Sequence, residues 1–514
     1  MIKKKHIILA IIFWLFGSIW RMYGTSNFNF PYWFDLGRDA IVSREIIENR
    51  DIKIQGPTAS GTNDTIFHGV LYYYIIGPLY TVFSGNPQYV MYGVILISSL
   101  GVIPFYFLIL SMTKKESIAN LVGLMAIFSH EFYEAATWLS NPVIAVFSLP
   151  LFFYLFWLIF FEGKRKLLPW LLLTLAITHQ AAILFAPWWG LVLIGFLLEY
   201  QKNNLKRWKI KTLVYSAGVY FLGVLTMILT QLKLWKVGIF SLKALSSFSQ
   251  RGFFNPKEPV SVITGQYYSK ILQAIYPSLP VVSIIVFIIL LIFAYKYLNE
   301  KIKAFLLIAF ASPLLLFSWH YRVAYHSLMT IELFLIFMLA CLCDFLWAKK
   351  AGKIIAVALI LIFFVSNISI WHKVRTLKVA EYFVPQGAYL TDLLDAVDYT
   401  YQEAAGDAFS ISTITNPYGY NTLWSYLYSW YGQEKYGYLP HWYGMDQTGM
   451  FGDNLLSRVN RPDALHFSIR EPDQGMPQHI YDWFELEQNA VATPSAKVLF
   501  GSLDVRKHEP VLRI

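Results

Sequence analysis

The sequence predicts an α-helical polytopic membrane protein with a C-terminal extracytoplasmic α/β domain. The 514 residues are 56% hydrophobic and only 14% charged, whereas about a quarter of the residues in a soluble domain are charged. Long apolar runs recur from Ile7 to Trp371, and about 20 such residues are needed to cross a bilayer. The segment after Lys373 has no spanning run and is rich in Tyr, Trp, Pro and Gly, which indicates a separate soluble domain.

The positions of Lys and Arg predict the orientation of the chain. Short basic clusters separate the apolar runs and lie at residues 3–5, 114–115, 164–166, 202–211, 296–303 and 349–353. Cytoplasmic loops carry an excess of Lys and Arg, so we expect these clusters and the N-terminus to be cytoplasmic in a multi-pass protein of the cell membrane. The net charge of +10 is explained by this orientation and does not indicate nucleic-acid binding.

This orientation requires an even number of crossings between Lys5 and Lys114, but three apolar stretches lie there. The weakest is 69–84, which contains Gly77-Pro78 and three consecutive tyrosines. Proline weakens a helix and tyrosine prefers the membrane interface, so we expect 69–84 to lie on the outer surface within an external loop, 24–87. About eleven spans then remain, at residues 6–23, 88–111, 117–132, 141–161, 167–181, 182–199, 212–231, 275–295, 304–319, 327–347 and 354–371.

The external loop carries an unusual density of charge. Five acidic and four basic residues lie between Phe34 and Asn63, and charge near a membrane is costly enough to suggest a function. We expect residues 35–50 to form the first of two surface helices in this loop, with Arg44 and Glu48 paired on one face.

Asp35 and Asp39 lie one helical turn apart in this segment. Two like charges at this spacing are unfavourable unless a cation or Arg38 offsets them, and a local conflict of this kind is often found at a functional site. Asp35 is also a plausible N-cap, so a purely structural explanation exists for it.

The stretch FDLGRDAIVSREI at 34–46 resembles the acidic first loop of the GT-C superfamily of membrane glycosyltransferases. The most similar branch holds the protein mannosyltransferases and the lipid A aminoarabinose transferase. The layout of nearly the whole chain also resembles that branch, from the first helix through the external loop to the C-terminal domain. Weaker similarities are TWLSNP at 137–142, THQ at 178–180 and YRVAYH at 321–326. The resemblance implies a GT-C-like transmembrane domain over 1–373 and a soluble domain over 374–514.

The resemblance also implies a hexosyl- or pentosyltransferase that takes its sugar from a polyprenyl-phosphate donor outside the membrane. Asp35 is then the general base, because inverting transfer needs a carboxylate to take the proton of the acceptor hydroxyl. The chain departs from its relatives at Leu36, where mannosyltransferases have Glu, and at His68-Gly69-Val70, where the aminoarabinose transferase has Glu-Lys-Pro. The sugar, the acceptor (protein, lipid or glycan) and a divalent metal are left open.

Other residues are candidates for substrate binding. Asp39 either assists Asp35 or only pairs with an arginine, and His68 either touches a substrate or only forms a hydrogen bond. Arg38, Arg251 and Arg322 are candidates for the donor phosphate, since cations stabilise a leaving phosphate. The alternative is a surface charge for Arg38, and lipid headgroup contact for the other two. The histidines His320 and His326 flank Arg322 and are included with it.

Several polar residues in the apolar half have structural explanations. We expect His130 and Glu131 to anchor a helix end at the interface, with a place in a cavity as the alternative. His179 is either functional or an intramembrane histidine with satisfied hydrogen bonds. Cys341 and Cys343 lie within one apolar run and are expected to be packed thiols.

The C-terminal segment alternates between helix-like and strand-like stretches. We expect helices at 390–403 and 421–436 and strands at 409–414, 464–469 and 496–505. The aromatic residues between 422 and 444 would either stack on sugar rings or form a core, and the domain is a candidate for acceptor contact.

The rival function is a flippase or transporter of lipid-linked sugars. Such proteins have internal repeats and interrupted helices, and the sequence shows no repeat. A third possibility is an inactive relative that retains only the fold.

Overall fold

The computed structural model describes residues 3–59, 66–238, 260–317, 328–379, 388–472 and 476–509. The helices up to residue 236 are α1 (Lys4–Thr25), α2 (Phe34–Glu48), α3 (Leu71–Val82), α4 (Pro87–Ser99), α5 (Val102–Thr113), α6 (Glu116–Phe128), α7 (His130–Ala136), α8 (Val143–Phe160), α9 (Leu168–Ala181), α10 (Trp189–Gln201), α11 (Ile210–Gly223) and α12 (Leu225–Lys236). A 3₁₀ segment, Ile183–Trp188, precedes α10.

The remaining helices are α13 (Val260–Ala274), α14 (Pro280–Tyr297), α15 (Glu300–Phe317), α16 (Met329–Trp347), α17 (Lys350–Leu377), α18 (Leu390–Ala404), α19 (Thr422–Leu427), α20 (Gln433–Tyr436) and α21 (Gln478–Val491). A π-helical turn, Tyr428–Gly432, joins α19 to α20. The strands are β1 (Ser410–Ile414), β2 (His441–Trp442), β3 (His466–Arg470), β4 (Pro494–Phe500) and β5 (Leu503–His508).

Contacts divide the chain into two compact units. Unit 1 comprises Met1–Tyr23, Lys53–Tyr72 and Val94–His372, and unit 2 comprises Gly24–Ile52, Tyr73–Gly93 and Lys373–Ile514. Unit 2 therefore combines the C-terminal segment with α2 and most of α3. The division into domains at residue 373 stays a prediction.

The apolar helices confirm a multi-pass membrane protein. Within the described ranges, seven helical stretches are long and apolar enough to span, and an eighth arises if α11 and α12 are one span bent by 61°. The other predicted spans also coincide with helices. α6 and α9 have 13 and 14 residues, about 20 Å in length. α15 has 18 residues but begins with Glu300, Lys301 and Lys303.

The helix at the disputed third stretch is short. α3 has 12 residues and contains Pro78, so it extends over about 18 Å, well below the roughly 30 Å of a hydrocarbon core. Its length is therefore unsuited to a crossing, and its placement on the outer surface stays a prediction.

Unit 2 contains a five-stranded mixed sheet, which confirms the α/β prediction. The strand order is β2-β1-β3-β5-β4. β1 pairs in parallel with β2 and β3, whereas β5 runs antiparallel to β3 and β4. The α18 helix buries one face through Leu390, Leu393, Leu394 and Val397, which is the spacing of an amphipathic helix.

The predicted elements of this segment are largely confirmed. The helices at 390–404 and 422–436 and the strands β1 and β3 fall where expected. The single strand expected over 496–505 is wrong, because the chain reverses at Gly501, where φ is +58°, and forms the β4–β5 hairpin. Positive φ is readily adopted by glycine. The short β2 and helix α21 were not predicted.

Candidate functional site

Helix α2 carries both of the predicted acidic residues, with Asp35 in its first turn and Asp39 one turn later. The N-cap is Trp33, which has an extended backbone, and Asp35 is the second helical residue. The prediction of Asp35 as N-cap is therefore wrong. An acidic side chain in the first turn is still favourable, because it faces the positive end of the helix dipole.

Arg38 bridges the two carboxylates of α2. Its Nη1 donates to Asp35 Oδ1 at 2.5 Å, and its Nε and Nη2 donate to Asp39 Oδ1 at 2.9 and 2.7 Å. This confirms the expectation that Arg38 offsets the like charges. Trp33 Nε1 donates to the other Asp35 oxygen at 3.2 Å, so both oxygens of Asp35 are oriented by the chain itself.

The three side chains differ sharply in exposure. The side chain of Asp35 is 45% exposed, that of Arg38 is 10% exposed and that of Asp39 is 1% exposed. Within the triad, Asp35 is therefore the group that presents a carboxylate to solvent or to a substrate. Asp39 supports Arg38 from the buried side.

Burial dominates the electrostatics of Asp39. It raises the pKa of this carboxyl from 3.8 to about 6, against the opposing effect of Arg38 and with a further increase from Asp35. Burial alone would lower the pKa of Arg38, but Asp39 and Asp35 raise it instead. The Tyr73 hydroxyl also interacts with both Asp39 and Arg38. Arg38 therefore stays charged, and its charge is shared between two carboxylates.

Close packing within unit 2 fixes the position of α2. A Cβ on Gly37 would lie 3.0 Å from the Leu423 Cα of α19, and one on Gly77 would lie 2.6 Å from the Ser43 carbonyl oxygen. The helix backbones approach closely because these residues have no side chain. The predicted pair of Arg44 and Glu48 is also present, with Nε 2.8 Å from Oε1.

His68 belongs to unit 1 and lies three residues before the first residue of α3. Its Nδ1 accepts a hydrogen bond from the Ile183 backbone at 3.1 Å. The next residue, Gly69, donates its backbone N–H to the Gln180 carbonyl at 3.0 Å. His68 therefore helps to hold the loop against the start of the 3₁₀ segment, and substrate contact stays a prediction. The candidates Arg251, His320, Arg322 and His326 lie outside the described residues.

Unit 1 contains a group of buried charges whose partners the sequence did not reveal. Lys270 donates to Glu131 and Ser129 donates to Glu332, and Arg21 donates to Ser99 Oγ at 3.0 Å. His130 and Glu131 are each 2% exposed, so the prediction of interface anchoring is wrong for both. The signal for Glu332 was present, because an acid within an apolar run is uncommon.

An apolar cavity of about 400 Å³ also lies in unit 1, beside the α11–α12 bend. His179 and Tyr220 are among its lining residues. His179 Nδ1 is 2.8 Å from the Tyr220 hydroxyl, and its Nε2 is 3.0 Å from the Phe185 carbonyl. Both ring nitrogens of His179 therefore have partners, as the structural interpretation expects, and a functional role for this histidine stays a prediction. Cys341 and Cys343 are buried free thiols, as predicted.

The acidic residues of α2 are arranged around Arg38. The Arg38 guanidinium fills the space between Asp35 and Asp39. Across the parts of the chain that the structure describes, no group of three or more His, Cys, Asp or Glu side chains is placed to hold a metal ion.

The architecture is that of a polytopic membrane protein, and along nearly its whole length it is similar to a solved structure from the branch that the sequence resembles. Thirteen chains of solved structures are similar to it. One is the crystal structure of ArnT from Cupriavidus metallidurans bound to undecaprenyl phosphate, at 11% identity and a TM-score of 0.51. The alignment covers 98% of this chain and 97% of that one. ArnT is the lipid A aminoarabinose transferase. No protein-family model and no curated protein sequence matches the chain.

Proposed function

We propose that this protein is a membrane glycosyltransferase that moves a sugar from a polyprenyl-phosphate donor to an acceptor hydroxyl at the outer face of the cytoplasmic membrane. The observation that carries the proposal is the half-exposed Asp35 carboxylate, oriented by Arg38 and Trp33. The full-length similarity to ArnT, whose crystal structure holds undecaprenyl phosphate, supports the choice of a polyprenyl-linked donor.

In this mechanism Asp35 is the general base. Each Asp35 oxygen accepts one hydrogen bond from the chain and has a further lone pair with which to accept the proton of a hydroxyl. As that proton moves to Asp35, the acceptor oxygen bonds to the anomeric carbon and the lipid phosphate leaves with the electrons of the broken bond. A positioned base of this kind contributes roughly 10²- to 10⁴-fold to a rate.

Arg38 has a positioning role in this proposal. Because Asp35 and Asp39 already share its charge, it has little attraction left for the donor phosphate. The leaving phosphate still requires a cation. We therefore retain Arg251 and Arg322 for that task, with His68, His320 and His326 as further residues of the substrate site.

The proposal requires α2 to lie outside the cytoplasm, together with the C-terminal segment. Both native cysteines are buried, so a single introduced cysteine will dominate labelling by an impermeant thiol reagent. Ile52, just after α2, is 79% exposed. Ile52→Cys in intact cells should be labelled, whereas Lys206→Cys, in a predicted cytoplasmic cluster, should not. Labelling of Lys206→Cys without labelling of Ile52→Cys would place α2 on the cytoplasmic side and contradict the proposal.

A transporter of lipid-linked sugars is the second candidate, and two observations favour it. The α11–α12 pair is bent by 61°, and Lys270 is buried against Glu131. Interrupted helices and buried charges are both found in transporters. Purified protein in liposomes separates the two functions. Release of sugar from the lipid phosphate in the presence of an acceptor supports transfer, whereas leaflet exchange without release supports transport.

A further inference from the structure

Unit 2 contains a cleft that is not lined by Asp35, Arg38 or Asp39. It opens at the carboxyl ends of the parallel strands β1 and β2, and helix α21 forms its opposite wall. Thr413, Tyr418, Tyr443, Trp483 and Glu487 are among its lining residues. Ligands in sheets with parallel strands bind at this end, because the loops there diverge and leave a crevice.

Two aromatic rings form a corner of the cleft. Trp483 is 50% exposed, and its ring centroid is 6.4 Å from that of Tyr418 at an interplanar angle of 70°. Tyr418 also packs against the buried cluster of Ile414, Tyr481 and Phe484. The corner is therefore anchored in the core of the sheet, and the exposed Trp483 face is available to a flat apolar surface.

Polar groups complete the cleft. Thr413 is 8% exposed, and its Oγ1 has no hydrogen-bond partner within the described part of the chain. A buried hydroxyl without a partner is costly, so a ligand or a water molecule is expected there. Glu487 is exposed and lies close enough to Tyr418 and Tyr443 that, after burial, it contributes to the raised pKa of each phenol.

The size of the cleft limits what it holds. The space inside the open cleft is about 50 Å³, which corresponds to a few water molecules. The hydroxyl groups on one ring would replace these waters, whereas a long ligand would extend into solvent.

We propose that this cleft binds one neutral sugar ring of the acceptor, with its C–H face on Trp483 and its hydroxyls on Glu487 and Thr413. The identification of that sugar as the acceptor rests on the proposed glycosyltransferase function. A peptide is less suited to the cleft, because peptides bind to sheets through a row of free backbone groups. β2 is two residues long, and its Trp442 is already bridged to Arg458.

The test is direct binding of methyl glycosides of hexoses and N-acetylhexosamines to the full-length protein in detergent, measured by calorimetry. At least one glycoside should bind. Trp483→Ala removes the aromatic face for the sugar ring, and Glu487→Gln removes a hydrogen-bond partner that carries a charge. Each substitution should therefore weaken glycoside binding roughly tenfold or more. Matched controls lie on the same helix. Leu486, 69% exposed, and Asp482, exposed and hydrogen-bonded to Gln478, do not line the cleft, so Leu486→Ala and Asp482→Asn should leave affinity unchanged.

Three results would overturn the inference: no glycoside binds, the cleft variants bind as well as the parent protein, or a short unglycosylated peptide binds in their place. Transfer activity is measured in parallel so that the two proposals fail separately. Glycoside binding without any transfer removes the proposed function but leaves a carbohydrate site. Transfer that persists in Trp483→Ala without any glycoside binding removes the inference and leaves the function.

Discussion

Replacing Arg38 by Gln tests two roles of this residue: it stabilises α2 through its ion pairs, and it positions the proposed base Asp35. Arg38 holds the 1% exposed Asp39 carboxylate at 2.7 Å and the Asp35 carboxylate at 2.5 Å. Removing one partner of a buried ion pair costs about 3–5 kcal/mol, because the other charge is left in a poor solvent. Asp39→Asn in the same chain removes that charge, so the double variant should regain most of the lost stability. The coupling between the two substitutions should be about 2–3 kcal/mol.

Asp39 also makes this effect depend on pH. A rise in its pKa from 3.8 to about 6 corresponds to about 3 kcal/mol. Because the folded state binds the proton more tightly, the contribution of Asp39 to stability is greatest below about pH 4 and is lost as the pH rises through 6. Without Arg38 the pKa of Asp39 should rise further, so at pH 5 Asp39 is protonated and leaves no buried charge without a partner. Arg38→Gln should therefore be less destabilising at pH 5 than at pH 8.

The assays are thermal unfolding in detergent at both pH values, and sugar transfer in liposomes. Arg38→Gln should reduce transfer about a hundredfold, the usual cost of a misplaced catalytic group. The double variant should recover stability but not transfer. Recovery of both would show that Arg38 acts only on folding. An unchanged melting temperature in Arg38→Gln would refute the ion-pair argument itself.

Two further substitutions test the packing of unit 1. Lys270→Met removes the ammonium group from buried Glu131 and should lower the free energy of unfolding by about 3–5 kcal/mol. Adding Glu131→Gln should restore most of that loss. The control is Lys303→Met, which breaks the pair with the 88% exposed Glu300 and should change stability by less than about 0.5 kcal/mol. An unaltered unfolding midpoint for Lys270→Met would argue against a buried pair. Gly69→Ala places a Cβ 2.7 Å from the Gln180 Cα and should lower the free energy of unfolding by about 1–3 kcal/mol. A Cβ at Gly218 would have nothing within 4 Å, so Gly218→Ala should be neutral or stabilising by up to about 1 kcal/mol. Equal effects of the two alanines on thermal unfolding would contradict the close approach.

Local sequence patterns predicted much of the fold and part of the site. Hydropathy located the helices, because crossing a bilayer demands long apolar runs. The pairing of Arg38 with Asp35 followed from helical spacing, since residues three apart lie on one face. The contact between Arg38 and its sequence neighbour Asp39 did not follow from that spacing. The exposure of Asp35 and the burial of Asp39 could not be predicted in this way, because packing within unit 2 decides them.

Long-range packing explains the errors. Glu131 and Lys270 are separated by 139 positions, and no local pattern pairs them. The β4–β5 hairpin was mistaken for one strand because β-like residues continue on both sides of Gly501. The N-cap of α2 is Trp33 and not Asp35, because the local preference of an aspartate is weaker than the contacts that set where α2 begins.

The most direct test of the account is the transfer rate of Asp35→Asn in liposomes that contain donor and acceptor. We expect a loss of roughly 10²- to 10⁴-fold with little change in unfolding temperature, since the Asp35 side chain is 45% exposed. Asp407→Asn, at an exposed turn of unit 2, should transfer at the parental rate. A folded Asp35→Asn protein with full transfer activity would contradict the assignment of this carboxylate as the base.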